Sequence, residues 1–76
     1  MPRYYFNAHG PRHYVPDRDG ETLHCTEAAR DLAFAVIQDM ASDPLRFGDC
    51  RAWTLEITDE QAEPLFTVPF RVALDR

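Results

Sequence analysis

A chain of 76 residues with a formal net charge of −5, 45% hydrophobic and 28% charged, reads as a single small globular domain spanning residues 1–76. Its longest apolar run falls far short of the roughly 20 residues that cross a bilayer, which excludes a membrane span. The negative balance opposes the phosphate neutralisation that nucleic-acid binding requires, so a nucleic-acid partner is not expected.

All eight basic residues are arginine, with no lysine, and Asn7 is the lone asparagine. A GC-rich bacterial genome produces this bias, so the arginines are not read as recognition residues. The opening Met1-Pro2-Arg3-Tyr4 lacks the pattern of a secretory leader, and a cytoplasmic location is expected.

In chain order, Arg3 to Asn7 alternates with aromatics and predicts a first strand with Tyr4 and Phe6 inward. Gly10-Pro11-Arg12 signals a turn, and His13-Tyr14-Val15 returns as a short second strand ended by Pro16. Asp17 to Glu21 is expected to be an exposed turn. A helix is predicted from Thr26, as N-cap, to about Ser42. Ala29, Leu32, Ala33, Val36, Ile37 and Met40 recur at the spacing of one buried stripe, and Asp43-Pro44 ends the pattern. Leu45 to Arg51 reads as loop. Trp53-Leu55-Ile57 and Phe66-Val68-Phe70 then alternate on either side of an acidic turn, predicting a hairpin with one buried face. Phe70 to Arg76 is expected to form a frayed final turn.

The order β-β-α-β-β predicts an α+β fold of two layers, with one helix on a four-stranded, mainly antiparallel sheet. With the first and third strands central, the edges are the strands that carry Pro16 and Pro64/Pro69, as native edges are protected.

The opening Met1-Pro2-Arg3-Tyr4-Tyr5-Phe6, the Asp17-x-Asp19-Gly20 turn, Ala29-Arg30, Trp53, Asp59-Glu60 and the ending Leu65 to Phe70 resemble an uncharacterised family. Its members are short, mostly alphaproteobacterial proteins classed as a domain of unknown function, and the likeness covers nearly the whole chain. The chain departs from them at Asn7, where members often carry histidine, and at Ala62, where they carry glycine. The resemblance implies a small cytosolic domain and supplies no catalytic residue.

His9, His13, His24, Cys25 and Cys50 are the residue types that bind zinc. A helix of this length is a rod of roughly 25 Å that holds Cys25 and Cys50 apart, which excludes an intramolecular disulfide. What remains is a candidate ligand set of His9, His13 and Cys50 at one end. None of the strong zinc spacings is present, so turn histidines and a loop cysteine are the better reading. Asp17-Arg18-Asp19-Gly20 lacks the flanking acids of a calcium loop. Cys25 precedes a helix N-terminus but has no activating base beyond its neighbour His24. No catalytic residue and no cofactor is expected.

Phe34 departs from the stripe. It falls roughly 130° from its centre, among Glu27, Arg30, Asp31 and Gln38. An aromatic ringed by polar residues suits an interface anchor, with Arg30 and Gln38 on the rim and Tyr5 on the outer sheet face as a second contact. The leading expectation is therefore a non-enzymatic interaction module, a homodimer or the partner of another protein. The alternative is a small metal- or ligand-binding protein using the His9/His13/Cys50 end.

Overall fold

A computed structural model describes residues 1–75. Strand β1 (Arg3–His9) lies at the centre, and β2 (Tyr14–Val15) and β3 (Glu21–Thr22) pair with it near opposite ends. Helix α1 (Thr26–Ala41) follows, then a short α2 (Pro44–Phe47), a 3-10 turn at Cys50–Ala52, the hairpin β4 (Thr54–Thr58) and β5 (Pro64–Pro69), and a closing helix α3 (Phe70–Leu74). The antiparallel sheet runs β2-β1-β4-β5, which is the expected α+β architecture with β1 and β4 central.

Alternation decides which face is buried. Tyr4, Phe6 and Ala8 of β1 point inward, and so do Leu55 and Ile57 of β4 and Val68 of β5. The register places Phe6 opposite Ile57, Ala8 opposite Leu55 and Leu55 opposite Val68, so these side chains form one apolar floor. Ala29, Ala33 and Ile37 of α1 complete the core above it.

Four local expectations are corrected. Glu21, expected at the end of the turn, instead begins a strand with Thr22: β2 and β3 are two halves of one broken edge, bridged by the Asp17 loop. The Asp17 carboxylate accepts the backbone N–H groups of Phe6, Asp19 and Gly20, each at 3.1 Å, while Asp17 N–H donates to Asn7 Oδ1 at 2.9 Å. A side chain thus supplies the ladder bond that the broken strand lacks. At the start of α1 the N-cap is Cys25, with extended backbone (φ −159°, ψ 171°) and no side-chain cap, and Thr26 is already helical. Residues 44–47 are helical rather than loop, because Pro44 enters at the first turn with its φ preset. Trp53 and Phe70 lie just outside the strands. Phe70 N–H still donates to the Trp53 carbonyl (2.9 Å), and both side chains are buried.

Candidate interaction surfaces

Helix α1 meets the sheet through small residues. Ala29 and Ala33 let its backbone approach closely, and it rests over β4 and against α3 rather than over β1. The stripe of apolar residues on α1 is wider than the contact this makes. Its two flanks are left half-buried, each lining an open groove.

The groove on the β5 side, about 500 Å³, is lined by Arg30, Asp31 and Phe34 of α1, by Phe66 to Pro69 of β5, and by Val72 of α3. The Arg30 guanidinium lies over the Phe66 ring, 5.8 Å from its centroid, a cation–π contact. Val72 is 55% exposed. Phe34 is half-buried and packs against the core, which corrects its expected place on a wholly polar face. The reason is tertiary: β5 and α3 rise along this side of the helix and meet a residue that the wheel places about 100° from Ala33.

The predicted contact residues therefore divide. Arg30 and Phe34 share this groove. Gln38 is exposed on α1 and lies outside the lining residues, and Tyr5 is on the outer sheet face, lining a separate groove with Asn7, Tyr14 and Glu56. Tyr5 and Phe34 do not form one surface. Asp31 and Val72 were not read as contact residues from the sequence. The helix wheel places Asp31 near Phe34, but nothing in the sequence brings residue 72 there.

The opposite groove, about 430 Å³, opens between α1 and the broken edge. Phe6, Ala8 and Leu55 form its floor, Leu32, Val36 and Met40 its helical wall, Phe47 and Val15 its ends, and Pro16, Asp17, Asp19, Gly20 and Glu21 its far wall. Sequence periodicity assigned Leu32, Val36 and Met40 to the core stripe. The break in the edge strand is what leaves them half-uncovered.

The alternative ligand set does not converge. His9 reaches Glu56 across the outer face (Nε2 to Oε1, 3.3 Å) and lies against Tyr14. His13 stacks on Trp53 at 6.5 Å, whereas Cys50 is buried, its Sγ 3.9 Å from the Met40 carbonyl. Among the described residues no group of three or more His, Cys, Asp or Glu side chains is arranged to hold a metal ion. Burial, with Asp49 adding to it, pushes the Cys50 thiol up. Cys25 and Cys50 are free, the former exposed at the start of α1 and the latter buried near its end. No described helix is long and apolar enough to cross a membrane.

No curated protein and no solved structure matches the chain. A family model does match, over residues 3–71, from the start of β1 into α3. Its match takes in the Asp17 bridge, both flanks of α1 and the hairpin, and on that match the chain belongs to the DUF6894 family, a domain of unknown function.

Proposed function

We propose that this domain is a non-enzymatic protein-interaction module that pairs with a second copy of itself through the groove beside β5. The observation that carries the reading is the groove's composition: exposed Val72 beside half-buried Phe34 and Phe66, with Arg30 and Asp31 together on the helical rim. A patch bearing both signs of charge around an apolar centre is self-complementary, as a two-fold interface requires. Across such an axis Arg30 of one copy meets Asp31 of the other.

Edge-to-edge strand pairing along β5 is disfavoured. Phe6 N–H points to Asp17, away from β4, so residues 55 and 57 of β4 bond to β5. That parity turns residues 67 and 69 of β5 to the open edge, and Pro69 has no N–H to offer there. The contact is therefore assigned to side chains. A standard interface covers about 800 Å² on each partner. Out of a surface of 5178 Å², that requires the contact to spread from the groove along β5 and α3.

Sedimentation of wild type and Val72→Glu tests this. Wild type is expected to sediment as a dimer and the variant as a monomer with unchanged melting, because residue 72 is exposed in the monomer. A monomeric wild type at high concentration rejects the reading.

A further inference from the structure

The groove on the other flank of α1 has a different chemistry and points to a different occupant. Its floor and helical wall are apolar, with Phe6, Leu55, Val36 and Met40 facing it. Its far wall carries Asp17, Asp19 and Glu21, and no basic residue lines it. The Asp17 carboxylate is committed to three backbone N–H groups. Asp19 and Glu21 form no ion pair among the described residues; the Arg3 guanidinium donates to the backbone carbonyl of Asp19 rather than to a carboxylate, and both acidic residues are exposed along one side of an apolar trough.

We propose that this groove receives an amphipathic, basic segment of a partner protein, apolar side chains seated over Val36 and Met40 and arginine or lysine side chains set against Asp19 and Glu21. Charge complementarity selects that occupant. A second copy of this chain, itself at −5, would bring further negative charge to an acidic wall, and an anionic surface or nucleic acid is repelled in the same way. An apolar trough with a charged wall is also how grooves take up an amphipathic helix, which inserts apolar anchors at three- and four-residue spacing. The inference rests on reading the domain as an interaction module, but it uses the flank that the self-pairing surface does not.

The probe is a fluorescent helical peptide with a leucine stripe flanked by arginines, titrated into the full chain and followed by anisotropy and amide chemical-shift mapping. Two control peptides replace the leucines by serine or the arginines by glutamate. The expected result is saturable binding of the first peptide alone, with shifts confined to Val15, Glu21, Val36, Met40 and their neighbours. The double variant Asp19→Asn/Glu21→Gln, which keeps every backbone bond of the loop, is expected to weaken binding by about tenfold or more.

Equal binding of the serine peptide, shifts on another face, or no binding overturns the proposal. The same titration on Val72→Glu separates the two readings. Peptide binding that survives there stands independently of self-association, and a wild-type dimer that ignores the peptide sinks this inference alone.

Discussion

Gly10 lies flat against the indole of Trp53: a Cβ built on residue 10 would fall 2.6 Å from ring carbon Cε2. The first turn and the start of β4 therefore meet at a contact that only glycine permits, and φ plays no part in it. Trp53 is 4% exposed and packs against His13, Phe47 and Phe70, so the ring has no free side to move toward. Gly10→Ala is expected to cost about 1–3 kcal/mol through overpacking. Denaturant unfolding followed by Trp53 fluorescence measures it, and an unchanged midpoint would show that the turn yields freely.

Asp17 is expected to matter more than a turn residue should. Asp17→Ala removes the acceptor for the N–H of Phe6, a buried residue of the central strand. An unsatisfied buried donor costs about 1–3 kcal/mol. Amide exchange provides the local readout: the Phe6 N–H should exchange faster in the variant while the β4–β5 pairs keep their order of protection. Uniformly faster exchange would point to global loosening instead.

Ala62 sits at φ 62°, in the left-handed region, at the tip of the β4–β5 turn. The Cβ penalty there is about 1–2 kcal/mol, and the extra freedom of an unfolded glycine returns part of it. Ala62→Gly is expected to stabilise the domain by about 0.5–1 kcal/mol. A lowered melting temperature would mean that the penalty is already relieved in solution.

Ile37 is fully buried where α1 meets the sheet. Ile37→Ala is expected to cost about 2–5 kcal/mol, a large part of the stability of a domain this size. Calorimetry decides it, and melting like wild type would mean that the helix does not dock through this face.

The two thiols should differ in reactivity and in linkage. Cys25 is exposed and should react with a thiol reagent in the native state, and Cys50 only on unfolding. Because burial raises the Cys50 thiol, the folded state keeps its proton after the unfolded chain has released it. Stability from this group is full below the ordinary thiol value of 9.0 and is lost as pH rises from there through the raised value of the folded state. A melting temperature that falls above this pH in wild type, and falls less in Cys50→Ala, is the expected pattern. Equal slopes in the two proteins would assign the loss to other groups.

Side-chain alternation and the three-and-four spacing of α1 were enough to set the β-β-α-β-β framework, though not β3, α2 or the 3-10 turn, and with it the inward faces of β1 and β4 and the proline-bearing edges, because these follow from local periodicity and the burial it demands. They also sufficed to place Cys25 and Cys50 apart, since helix length is a local quantity. Contacts between segments distant in sequence lay beyond them. Phe34 reads as polar-faced on a wheel that knows only α1, and becomes half-buried because β5 and α3 close on that side. Glu21 looks like turn until Tyr4 pairs with it, and Asp17 gains its role only when folding brings it to Phe6. The two grooves belong wholly to tertiary structure: alanines at positions 29 and 33 draw α1 toward β4, and the break between β2 and β3 leaves the other flank uncovered.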